Sequence, residues 1–173
     1  LQKSSHQHHQ NNSQHSSSNI FLSILGALTA SLSVVLCDTE QKSSEENFSF
    51  IQYPSNRPIE DRWSTYQLTT IPGQITAVFD GHGGWQMAEY ASKNLAKEID
   101  NSLQANKGKS FSSTDEYIIT SIKEGFDKIE SSFLDVARAV YNLGYGKAGG
   151  VGSCALLTLN YNGKIYVANL GDC

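Results

Sequence analysis

Seven apolar residues, Ile118, Ile122, Phe126, Ile129, Phe133, Val136 and Val140, recur in steps of 4, 4, 3, 4, 3 and 4. That spacing places all seven on one face of a single long helix, for which Thr114-Asp115-Glu116 offers a polar, acidic start. A helix with one apolar stripe must lay it on something. A coiled-coil partner would serve, but a shorter stripe of the same kind precedes it: Ala88, Ala91, Leu95, Ile99 and Leu103. Two short-linked antiparallel helices covering a sheet account for both stripes, and sheet-forming sequence stands on either side of them.

Ahead of the helices, residues 63–70 read as a strand, 71–74 as a turn and 75–79 as a second strand rich in β-branched and aromatic side chains. The two acid-bearing ends of this hairpin, Glu60-Asp61 and Asp80, fall on the same side. Behind the helices, a glycine-rich connector over 143–152 leads to a strand over 154–161, the turn Asn162-Gly163 and a strand over 165–170, a strong hairpin signal. The connector lacks the residue order of a nucleotide-binding loop. Strands, two helices and a hairpin predict an α+β architecture: a β-sandwich flanked by antiparallel helices, over residues 51–173.

The first fifty residues are of another kind. Residues 1–19 are dominated by His, Gln, Asn and Ser and bury too little apolar surface to offset the entropy of ordering, so a disordered tail is expected. His6, His8, His9 and His15 read as part of that solvated tract rather than as a metal site. Residues 20–36 are apolar and uncharged. As a helix they span about 26 Å at ~1.5 Å per residue, just short of the ~30 Å hydrocarbon core. An N-terminal apolar helix over 20–37 is therefore expected, as a membrane span, a docking helix or the remnant of a targeting segment, with residues 38–50 as a polar linker. Lys3 and Lys42 are too few to orient a span. Leu1 in place of an initiator methionine suggests a removed leader or a start inside a longer protein.

A net charge of -4 and a pI near 5.7, with lysines and arginines scattered along the chain, exclude the basic stripe of a nucleic-acid binder. Cys37, Cys154 and Cys173 are odd in number and far apart, which excludes a disulfide framework. Cys154, in an apolar strand, reads as a small core residue.

The chemistry concentrates where the second strand ends, in Asp80-Gly81-His82-Gly83-Gly84. Taken alone, Asp-Gly is ordinary turn sequence. An Asp fixed at a strand end is also a hard oxygen ligand, a glycine lets a carbonyl approach a cation, and a histidine moves protons near neutral pH. Two more blocks accompany it: Asn56-Arg57-Pro58-Ile59-Glu60-Asp61-Arg62 upstream and Val167-Ala168-Asn169-Leu170-Gly171-Asp172-Cys173 downstream. With these three blocks in this order, the chain resembles the metal-dependent protein serine/threonine phosphatases of the 2C type. The Pro58-Ile59-Glu60-Asp61-Arg62 wording is most similar to the pyruvate dehydrogenase phosphatase branch, which hints at a mitochondrial setting.

The resemblance implies roles. Asp80 would bridge two Mg²⁺ or Mn²⁺ ions, Gly81 would offer its carbonyl and Glu60 would stand on the second ion's side. Asp61 would be a nearby structural or water-binding acid, and Asp172 would help hold a weaker third ion. His82 would be the general acid for the leaving serine or threonine oxygen. Two such cations activate water and clamp the phosphoryl oxygens. The chain departs from the pattern twice. Many members carry a phosphate-binding arginine four residues before the Glu; here that position is Asn56, so phosphate binding falls to Arg57, three residues before Glu60. The aspartates that complete the first metal site in the family lie in Asp-Gly and Asp-Asn motifs past the position of Cys173.

By itself the polypeptide is therefore expected to carry half of a dinuclear centre, bind metal weakly and leave the strand over 165–170 without its sheet neighbours. The implied function is hydrolysis of phosphoserine and phosphothreonine in phosphoprotein substrates, using residues beyond Cys173. The alternative is a catalytically inert structural or regulatory subunit of a mitochondrial membrane complex, attached through residues 20–36. A small-molecule phosphatase is a third reading, which no pocket-forming sequence favours.

Overall fold

The computed structural model describes residues 32–38, 49–54 and 56–173. In chain order its elements are β1 (Leu32–Asp38), β2 (Arg62–Gln67), β3 (Gly73–His82), α1 (Gln86–Asn106), α2 (Thr114–Asn142), a 3₁₀ turn at Gly146–Gly150, β4 (Gly152–Tyr161) and β5 (Lys164–Leu170). The strands form one antiparallel sheet in the order β1-β5-β4-β3-β2. The expected pairing of sheet and helices is present, and the described residues contribute one sheet, a single layer of the expected sandwich.

Strand alternation divides the sheet into two unlike faces. One face presents Ile75, Ala77 and Phe79 from β3, Ala155, Leu157 and Leu159 from β4, and Tyr166 and Ala168 from β5, all buried. Helix α1 lies on this face with Ala88, Ala91, Leu95, Ile99 and Leu103 turned inward, and α2 packs along α1. The two helices meet closely at Gly125, where a Cβ would stand 2.5 Å from Ile99 Cγ1 and 3.1 Å from the Ile99 backbone. Within α2 the stripe is buried at Ile118, Ile122, Phe126 and Ile129, then runs beyond the core: Phe133 is half-buried against Tyr90, and Val136 is 52% exposed.

Polar side chains fix the ends of these elements. Ser113 caps α2, its hydroxyl accepting from the Glu116 N–H, while Glu116 accepts from Ser112 at 2.6 Å. Asp115 accepts from Lys164 Nζ and from the Tyr166 hydroxyl, tying the start of α2 to β5. Buried Asp100 on α1 accepts from the Thr69 N–H and hydroxyl and from the Thr70 N–H, pinning the β2–β3 turn to the helix.

Two expectations need correction. The apolar helix over 20–37 is not helical in its described part: Leu32–Asp38 is strand β1, registered on β5 from Leu32↔Leu170 to Asp38↔Lys164. The run contains Val34 and Val35, whose branched side chains favour strands, and the outer edge of β5 offers unpaired backbone groups. Residues 20–31, together with the tail over 1–19 and residues 39–48 of the linker, lie outside the described residues. Among the described residues no helix is long and apolar enough to cross a membrane. The second correction follows from the first: β5 has neighbours on both sides, β4 and β1, rather than an open edge.

Candidate functional site

Strand β3 runs through Asp80, Gly81 and His82 instead of ending before them. Period-two alternation then dictates their directions. Asp80 and His82 are exposed on the face away from the helices, and Gly81 between them is buried toward α1. Across the ladder to β4, Asp80 pairs with Cys154, Gly81 with Ser153 and His82 with Gly152.

Each glycine here makes room for a functional neighbour. A Cβ on Gly81 would meet the Glu60 carbonyl oxygen at 2.5 Å and Ala88 Cβ at 3.2 Å, so the backbone of Glu60 rests directly on Gly81. A Cβ on Gly152 would meet the His82 ring, 2.3 Å from Cε1 and 2.5 Å from Nε2. The imidazole therefore lies across the β4 backbone. Gly171, with φ +100, turns the chain out of β5, and its missing side chain leaves space for the Cys154 sulfur.

Asp172 follows this turn, and its Oδ1 lies 3.0 Å from the Cys154 sulfur. The thiol's hydrogen bond holds the Asp172 carboxyl below the ordinary Asp range, helped by its own backbone N–H and by the charge of His82. The same contact pushes the Cys154 thiol up. Cys154 is thus a half-buried neighbour of Asp80 and Asp172 rather than the core residue expected from its strand. Parity carries the signal: with Ala155, Leu157 and Leu159 inward, Cys154 must face outward.

The residues singled out from the sequence are brought together in part. Asp80, Gly81, His82 and Asp172 gather at one end of the sheet, with half-buried Glu60 and Asp61 on the segment entering β2. Arg57 is exposed on the preceding loop and makes no ion pair with any described residue. The other nearby guanidinium, Arg62, turns to α1 and pairs with Glu89. Carboxylates and a strand-end carbonyl are the hard oxygen donors that Mg²⁺ or Mn²⁺ takes, so the donor set fits such an ion in kind. Among the described residues no three His, Cys, Asp or Glu side chains converge on one point. A cleft of about 340 Å³ is lined both by Phe79, Leu95, Phe126 and Phe133 from the core side and by His82, Gly152 and Cys154 from the strand ends.

The family described as Protein phosphatase 2C matches residues 55–173. Among individual relatives, Probable protein phosphatase 2C 25 of Arabidopsis thaliana is 33% identical over 122 residues, covering 66% of this chain and 26% of that protein. Probable protein phosphatase 2C 2 of the same plant is 34% identical over 119 residues, covering 66% and 27%. The chain thus spans about a quarter of the length of these relatives. A solved structure of serine-threonine phosphatase 2C from Toxoplasma gondii aligns with 90% of this chain and 47% of its own, at 14% identity and a TM-score of 0.44.

Proposed function

The chain belongs to the protein phosphatase 2C family, and from that premise we propose that it carries the β3-end portion of a site that hydrolyses phosphoserine and phosphothreonine in proteins. The observation that carries the reading is the shared face of Asp80 and His82 at one strand end, with Asp172 beside them across Cys154. A pair of Mg²⁺ or Mn²⁺ ions would supply activated water and charge neutralisation there; Asp80, the Gly81 carbonyl, Glu60 and Asp172 are the residues that would hold them. His82 would hand a proton to the departing serine or threonine oxygen, and Gly152 leaves the imidazole room to lie where it does. Asp61 would support the acidic loop, and Arg57 would draw in the phosphate.

Within the family, the Pro58-Ile59-Glu60-Asp61-Arg62 wording supports a place near the pyruvate dehydrogenase phosphatase branch. A mitochondrial setting belongs to the same proposal. The test is Mn²⁺-dependent release of phosphate from a phosphopeptide by the full-length protein, with Asp80→Asn beside it. Activity lost with the substitution is expected. A full-length protein without Mn²⁺-dependent activity would leave the inert-subunit reading standing, and activity untouched by Asp80→Asn would move the site elsewhere.

A further inference from the structure

Arg62 opens β2, yet its side chain reaches backward and sideways, away from the ladder. Its Nη1 donates to the carbonyl of Ile59 at 2.9 Å and to that of Asp61 at 2.7 Å, the carbonyls of the residues before and after Glu60. Its Nε is paired with the Glu89 carboxylate on α1, which Lys93 also contacts. Its guanidinium carbon stands 5.6 Å from the centroid of the Trp85 ring, immediately after Gly83-Gly84. One planar group therefore touches the loop that carries Glu60, the turn that follows His82 and the first turns of α1.

We propose that Arg62 is the positioning residue of the acidic loop: it ties the carbonyls of Ile59 and Asp61, the residues before and after Glu60, to α1 and so fixes where the Glu60 carboxylate points. Glu60's own carbonyl rests on Gly81, so the loop is held from below by the glycine and from the flank by the guanidinium. The task needs an arginine. A guanidinium presents five donors in a rigid plane and serves two carbonyls and a carboxylate together, whereas a lysine ammonium is a point donor on a flexible stem. The ion pair alone would stabilise little, since Arg62 and Glu89 are 26% and 28% exposed. Its value lies in direction.

The inference rests on the phosphatase reading for its consequence and on the geometry alone for its existence, and the full-length protein tests the two separately. Hydrogen exchange at the amides of residues 59–62 reads the clamp without any activity. The Mn²⁺ concentration for half-maximal phosphopeptide hydrolysis, set against kcat, reads its effect on Glu60. For Arg62→Lys, faster exchange at 59–62 is expected, with a Mn²⁺ requirement raised about tenfold, the lower end of what losing an outer partner costs a metal site. Glu89→Gln, which keeps an acceptor oxygen, should fall between Arg62→Lys and the parent. Should Arg62→Lys fail to fold, Glu89→Gln reads the same clamp from its other end. Unchanged exchange and Mn²⁺ requirement in a folded variant overturn the proposal, as does a fall in stability or kcat with the Mn²⁺ requirement unmoved. A parent protein without Mn²⁺-dependent activity overturns the phosphatase reading instead, and exchange still decides the clamp.

Discussion

Replacing Gly81 by alanine adds one carbon at the point where Glu60 rests on β3. No left-handed φ is involved at this position, so the obstacle is space. The new Cβ would lie 2.5 Å from the Glu60 carbonyl oxygen and 3.2 Å from Ala88 Cβ. To reach a tolerable contact the carbonyl must retreat by about 0.5–0.9 Å, against the hold of Arg62 on the carbonyls of Ile59 and Asp61. Overpacking of this kind costs about 1–3 kcal/mol. With a urea m-value of about 1–3 kcal/mol/M, the unfolding midpoint should fall by about 1 M. The displaced Glu60 should also lower activity, by up to ~100-fold if the shift approaches 1 Å. Urea titration followed by tryptophan fluorescence suits the question, because the chain's two tryptophans, Trp63 and Trp85, both lie near this loop. Gly146→Ala is the control: nothing lies within 4 Å of its added carbon, so a change within about 0.5 kcal/mol is expected. An unchanged midpoint and unchanged activity in Gly81→Ala would refute the claim that this glycine exists to seat Glu60.

Gly152→Ala should separate chemistry from folding, because the atoms it strikes belong to the His82 ring, which can swing aside. A midpoint near the parent's is expected with kcat reduced about tenfold or more, below the full 10²–10⁴ contribution of a general acid; Gly152→Ala added to His82→Ala should then cost nothing further, and an additive loss would show that the two do not act together. Asp100→Asn addresses pH. Burial raises the Asp100 carboxyl, but hydrogen bonds from Thr69 and Thr70 outweigh it and leave it below the ordinary value. The unfolded chain therefore binds the proton first, so this stabilisation is present above about pH 4 and fades as pH falls through the folded value. Asp100→Asn should cost about 1–2 kcal/mol at pH 7 and decline less steeply in acid; parallel stability profiles would contradict the assignment.

The parts legible from the sequence are those governed by short periods. The stripe from Ile118 to Ile129 and that from Ala88 to Leu103 met the core as spacing required, and the Asn162-Gly163 turn joins β4 and β5 with both residues at positive φ. The stripe's last turns misled because periodicity marks a face and not the extent of the surface that will cover it. Residues 32–38 misled because a largely apolar run containing valines suits helix and strand alike. What decided was an available edge on β5, more than a hundred residues away in the chain. At the site, Asp80, Gly81 and His82 were legible as residue types. Their division between two faces needed the knowledge that β3 continues through them. Arg62 was read only as part of a motif, since nothing local says that a guanidinium will turn back on its own loop.

The ladder between β3 and β4 sets residue 80 beside residue 154, with the whole helical hairpin between them in the chain. Contacts this far apart form against the entropy of closing a long loop. A chain that has made its helices and both hairpins, but not that ladder, holds Asp80, His82 and Asp172 without bringing them together. Anything that binds across Asp80 and Asp172 must then stabilise the entire sheet, by RT ln(1 + [L]/Kd). Binding capacity and fold should vanish at one midpoint as urea opens the β3–β4 seam.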